Sequence, residues 1–133
     1  MRLVPPVLAA LLVGALLAAT GPAEAHDRSW RTATSFGMGV YPVEAALGTI
    51  SSPNAGCVNN RKVKLFQVRP GRDRLLGVDR RSGSATNGDG YWTVRATLSP
   101  ARRYYAVVLR KNVGSGAHDH LCKPYRTSRL PGV

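Results

Sequence analysis

From residue 43 onward the chain reads as short runs in which apolar and polar side chains alternate, cut by turn residues about every ten positions. The clearest run is Tyr91–Ala96. Trp92, Val94 and Ala96 face one way, and Tyr91, Thr93 and Arg95 the other. It follows Asn87-Gly88-Asp89-Gly90, residues that accept the positive φ of a tight reversal, so the spacing predicts a hairpin turn feeding a half-buried strand. Ala45–Ser52 predicts an earlier strand that ends in the loop signature Pro53-Asn54-Ala55-Gly56. In Arg61–Val68, Val63 and Leu65 oppose Lys62 and Lys64. Phe66 and Val68 then fall on the cationic side, which predicts a bulge or a covered second face. Leu75–Val78 is a third strand after the turn Arg69-Pro70-Gly71-Arg72. Arg103–Arg110 is apolar on both sides, with Tyr104, Ala106 and Val108 opposite Tyr105, Val107 and Leu109; such a strand belongs in the middle of a sheet or beneath a loop. Cys122–Leu130 predicts a final edge strand blunted by Pro124 and its arginines. No amphipathic helix follows residue 25. Residues 44–133 therefore predict one all-β domain, a sandwich or barrel. Residues 26–43 hold no sustained period and read as a polar arm, with one short edge strand near Phe36–Tyr41.

The first 25 residues have a different pattern. Arg2 precedes an apolar run from Val7 to Ala19, and Ala23-Glu24-Ala25 fits a small-x-small cleavage site, so Met1–Ala25 predicts a secretory signal peptide whose removal leaves His26 first. The run is short for a membrane span. No cysteine follows it to carry a lipid, and Leu130-Pro131-Gly132-Val133 is not followed by an apolar tail. The expected product is secreted, and either free or held by noncovalent contacts.

Charge narrows the partners. The 133 residues carry 19 Lys and Arg against 7 Asp and Glu, a formal charge of +12, and the loss of Arg2 and Glu24 with the signal leaves that figure unchanged. Arginine predominates; the only lysines are Lys62, Lys64, Lys111 and Lys123. Such a field attracts polyanions and weakens with salt. Export argues against nucleic acid and toward an anionic cell-envelope polymer or surface, or another secreted protein. The candidate contacts are Arg61, Lys62 and Lys64 on one strand, Arg69, Arg72, Arg74, Arg80 and Arg81 in the neighbouring loops, and Arg102, Arg103, Arg110 and Lys111 at the ends of the Tyr strand. Tyr91 and Tyr105 could stack on sugars or bases. The bland alternative is an evenly spread surface charge that serves solubility.

Two cysteines in an exported domain of this size predict a Cys57–Cys122 disulfide; the absence of Cys-x-x-Cys argues against a redox site.

Several short motifs carry a resemblance. Gly48-Thr49-Ile50, Arg61-Lys62-Val63-Lys64-Leu65-Phe66, Thr86-x-x-Asp89-Gly90-x-Trp92 and Pro100-x-x-Arg103-Tyr104-Tyr105-Ala106 together resemble the carboxypeptidase-regulatory-like, or transthyretin-like, β-sandwich, most of all its small secreted forms from high-GC bacteria. The likeness runs from about Gly48 to Cys122. It implies a Greek-key-type (prealbumin-like) sandwich of about seven strands, usually noncatalytic and used for stability, carbohydrate contact, adhesion or protein contact. The family has no shared catalytic residues to carry over, and it commonly has a glycine where Ala101-Arg102 stand here.

The residue inventory also argues against an enzyme. Glu44 and the aspartates form no pair placed for acid–base work on a sugar, and no Gly-x-Ser-x-Gly elbow occurs. The primary reading needs no cofactor. The alternative, from another class, is an extracellular copper protein: the amine and imidazole of an N-terminal His26 would chelate Cu(II) with His118, Asp119 and His120.

Overall fold

The computed structural model describes residues 28–39, 44–80, 82–84, 88–114 and 118–132. The signal segment, His26, Arg81 and the turn residues Thr86 and Asn87 lie outside the described residues. The strands are β1 (Arg28–Trp30), β2 (Ala33–Thr34), β3 (Gly37–Gly39), β4 (Ala45–Ser51), β5 (Val63–Gln67), β6 (Arg74–Asp79), β7 (Gly83–Ser84), β8 (Gly90–Arg95), β9 (Arg103–Val108), β10 (Lys111–Asn112), β11 (His120–Cys122), β12 (Tyr125–Arg126) and β13 (Leu130–Pro131). A 3₁₀ turn, Ala55–Cys57, is capped by Asn54, whose side chain accepts from the Gly56 N–H at 2.8 Å. The described chain is thus all-β.

Two antiparallel sheets make the body. One has the order β2-β4-β8-β7, with β3 also on β4; the other has β12-β9-β5-β6, with β13 also on β9. A third, small sheet, β1-β11-β10, contains a parallel pair, β1 with β11. The alternation predicted for residues 91–96 is realised: Trp92 and Val94 are buried while Tyr91, Thr93 and Arg95 are exposed. Trp92, Val94, Ala46 and Ile50 from the first sheet meet Val63, Leu65, Tyr104, Ala106 and Val108 from the second, with Leu98 closing the cluster. Two packed layers of this kind are the arrangement of a β-sandwich. Each large side chain so buried contributes about 1.5–3 kcal/mol relative to exposure.

Trp92 occupies the centre of this core because Gly48 stands opposite it across the β4–β8 ladder. A Cβ at Gly48 would run into the Ser35 carbonyl and the indole nitrogen. The indole N–H donates to Thr34 Oγ1 at 2.9 Å, and Phe36 stacks on the ring, centroids 5.9 Å apart.

The described part of the segment expected as a polar arm, with one short edge strand near Phe36–Tyr41, is built into the sheets. β2 and β3 run along β4 in a single register, Ala33 opposite Ser51 through Gly39 opposite Ala45. β3 falls where one short edge strand is expected, near Phe36–Tyr41; β2, of two residues, is too short to show a period, and the sequence pattern missed it. The phase break in β5 has both of its predicted causes, one displaced. The bulge lies in β6, where Leu76 is the extra residue between Gly77 opposite Leu65 and Leu75 opposite Phe66. The second face is covered where Phe66 stacks on Tyr105 at 5.2 Å. β9, apolar on both sides, is indeed interior to its sheet.

Cys57 and Cys122 form the disulfide, with Cα atoms 5.4 Å apart and a separation of 65 in sequence. Among the described residues β7 covers β8 at Gly90 and Tyr91; further on, the Thr93 N–H donates to Asp79 Oδ2 at 3.0 Å.

Candidate polyanion-binding face

Strand order decides whether the positive charge gathers. In the sheet β12-β9-β5-β6, the core-facing residues are Val63 and Leu65 on β5 and Tyr104, Ala106 and Val108 on β9. Their alternates, Lys64 and Phe66 on β5 and Arg103, Tyr105 and Val107 on β9, therefore lie on the outer face. Lys64 is opposite Val107 on one side and Val78 on the other, and Arg126 of β12 is also opposite Val107. Lys64, Val107 and Arg126 thus form one cross-strand row. A second row holds Leu75, Phe66 and Tyr105. The Arg126 guanidinium closes over the Tyr105 ring, 3.9 Å from its centroid. Lys62, just before β5, extends the Lys64 column and is exposed, as are Arg103, Arg126 and Arg129.

Among the described residues one carboxylate, Asp73, is bonded to this face, and it is already engaged. Asp73 Oδ2 accepts from the Tyr105 hydroxyl at 2.8 Å and Asp73 Oδ1 from the Arg69 N–H at 3.1 Å. The Tyr105 bond, then the Arg69 bond, and at longer range the charges of Arg129 and Arg126, hold its pKa below the ordinary carboxylate value. Burial first, and the Asp73 bond second, push the Tyr105 hydroxyl above its ordinary value. Tyr105 is buried, so the ring proposed as a stacking platform is a covered floor; Tyr91, on the other sheet, is exposed.

The remaining sequence candidates fall in several places. Arg61 is a correction. It is fully buried and presents nothing to a ligand. Its guanidinium makes five hydrogen bonds: Nε and Nη2 to the Leu109 carbonyl, Nη1 to Thr32 Oγ1 and the Cys57 carbonyl, and Nη2 also to the Lys123 carbonyl. That number matches the five N–H groups of an arginine. Burial lowers its pKa from the usual value. Lys111 is likewise spent on the loop, donating to the Gly56 and Asn59 carbonyls at 2.9 and 3.0 Å; burial, then the charge of Arg61, lowers its pKa. Arg110 lines a separate hollow with Asn112, Asp119 and Leu121. Arg72 and Arg80 are exposed near the ends of β6, and Arg69, Arg74 and Arg102 line a cleft at one end of the sandwich. Arg126 and Arg129 were absent from the sequence candidates. Only the pairing of β12 with β9 reveals Arg126 as part of the face.

The copper ligand set is not assembled among the described residues, where no group of three His, Cys, Asp or Glu could hold a metal ion. His118 and His120 have ring centroids 6.2 Å apart, Trp30 packs edge-on against His120, and Asp119 accepts from Asn112 Nδ2 at 2.9 Å. His26 lies outside the described residues.

Comparison with protein-family models finds no match, and comparison with curated proteins finds no similar chain.

Proposed function

We propose that this chain is a secreted, noncatalytic binding module that attaches to anionic polymers of the cell envelope. The observation that supports it best is the outer face of β12-β9-β5-β6. Lys64, Arg103 and Arg126 stand on one surface, Arg129 beside it, and the carboxylate there is held by Tyr105 and Arg69. A sheet face edged by cations suits an extended polymer better than a small ligand. Its attraction is long-ranged and screened by salt.

Export is supported by the pattern of residues 1–25 and by the disulfide, which persists in oxidising compartments. Among the described residues no helix is long and apolar enough to cross a membrane. For the fold, the reading is a Greek-key-type, transthyretin-like sandwich. It is supported by β8 skipping back to β4 and by β9 skipping back to β5, each across intervening strands.

The test is retention of the purified protein on an immobilised anionic wall polymer across a salt series, with Lys64→Gln/Arg103→Gln as the variant. The expected result is strong retention at low ionic strength, a steep fall with salt and a marked loss in the variant. Retention that is absent at every salt concentration, or insensitive to salt, sinks the proposal.

A further inference from the structure

The cleft at the end of the sandwich is a second, separate site, and its chemistry is one-sided. Gln67, Arg69, Arg74, Ser99, Arg102 and Tyr104 line a volume of about 410 Å³. The arginines come from three places: the turn after β5, the start of β6 and the turn before β9. Arg69, Arg74 and Arg102 are exposed, and no carboxylate is among the lining residues.

The neutral polar groups, Thr97 among them, add donors to the arginines. Gln67 Oε1 accepts from Arg69 Nε at 3.3 Å, which leaves the amide N–H pair of Gln67. Ser99 Oγ accepts from the Ala101 N–H at 3.3 Å, which leaves the Ser99 hydroxyl proton. Tyr104 is 1% exposed, and its oxygen accepts from the Ser99 N–H at 2.8 Å. Among the described residues its own proton meets no acceptor, although a buried hydroxyl ordinarily finds one. A cleft lined by three arginines and further donors, with no carboxylate among its lining residues, fits a ligand rich in acceptors. Three guanidinium forks and these further donors exceed what the two oxygens of a carboxylate can use. They suit the oxygens of a phosphate group, which arginine recognises by paired N–H bonds. The volume exceeds that of a bare ion and leaves room for the sugar or polyol that carries it.

We propose that the Arg69–Arg74–Arg102 cleft binds a phosphate ester, with the buried Tyr104 hydroxyl donating to one of its oxygens. This does not rest on the polymer-binding face; the two surfaces use different residues and can fail separately.

The experiment is an amide NMR titration at constant ionic strength with glycerol phosphate, a glycerol phosphodiester and acetate as probes. The expected result is saturable shifts at Ser99, Ala101 and Arg102 with one or both phosphate esters and none with acetate. A preference for the glycerol phosphate identifies a polymer end, and a preference for the diester an internal link; either supports the site. Arg74→Gln and Arg102→Gln change exposed side chains, so each should fold and weaken binding by about tenfold or more. Lys64→Gln, on the sheet face, should leave the titration unchanged. Acetate shifts equal to those of the esters, nonsaturating shifts, or unaltered binding in both arginine variants would overturn the proposal.

Discussion

At the scale of single residues, one position behaves against its type. Arg61 sits in a run of cations, beside Lys62 and close to Lys64, and its sequence neighbourhood says surface. Its acceptors are the carbonyls of Cys57, Leu109 and Lys123 and the hydroxyl of Thr32, which are scattered through the chain and are mostly backbone. No side-chain pattern marks such a set, so burial of the guanidinium was illegible. Arg61→Lys should destabilise by about 2–4 kcal/mol, because a compact ammonium cannot reach all four acceptors and the unmet carbonyls stay buried. Urea unfolding reads the difference, and a loss within error of zero would mean the guanidinium is dispensable. Asp73 gives a second residue-scale expectation. Its folded pKa lies below the ordinary 3.8, so the stability it adds is complete above that pH and is lost as the pH falls through the lower, folded value. Tyr105→Phe removes the first cause of the shift. The drop in unfolding free energy between pH 5 and pH 2, estimated by denaturant titration on the linkage principle, should therefore be shallower in the variant by roughly the Asp73 share; an unchanged slope would show that the Tyr105 bond does not set it.

At the scale of elements, legibility followed length. β4, β5, β6, β8 and β9 have five to seven residues each and are legible as strands, and β5, β8 and β9 also show their faces in the sequence. β2 shows nothing and β3 only an edge signal, because two or three residues cannot display an alternation. The candidate binding face was half legible for the same reason. Lys64 and Arg103 come from long strands, whereas Arg126 comes from a two-residue strand after Pro124. The β4–β8 ladder depends on a missing side chain. Gly48→Ala should cost about 1–3 kcal/mol by forcing Trp92 and the Ser35 backbone apart. It should also change the near-ultraviolet signal of Trp92. A thermal melt and near-ultraviolet dichroism that both match the parent would reject this account of the glycine.

At the scale of the whole molecule, the disulfide joins the 3₁₀ turn to the small sheet, and Arg61 and Lys111 grip the same loop through its carbonyls. Closing a loop of 65 residues removes unfolded-state freedom worth about 4 kcal/mol in the chain-entropy account. Cys57→Ala/Cys122→Ala should lower the unfolding free energy by about 2–4 kcal/mol while leaving the two main sheets recognisable by far-ultraviolet dichroism. A double variant as stable as the parent would assign the closure to Arg61 and Lys111 alone. The charge also belongs to this scale. Its total was readable from composition, but its distribution required the strand order β12-β9-β5-β6.

The Asp79 contact with β8 has a consequence for self-association. Past the described pairing of β7, the Thr93 N–H is held by the Asp79 carboxylate. An uncapped margin is a template on which a strand from another copy can align, the first step toward fibres. Asp79→Ala would leave the fold's interior untouched and remove this guard. At high concentration the variant should form thioflavin-positive aggregates sooner than its parent.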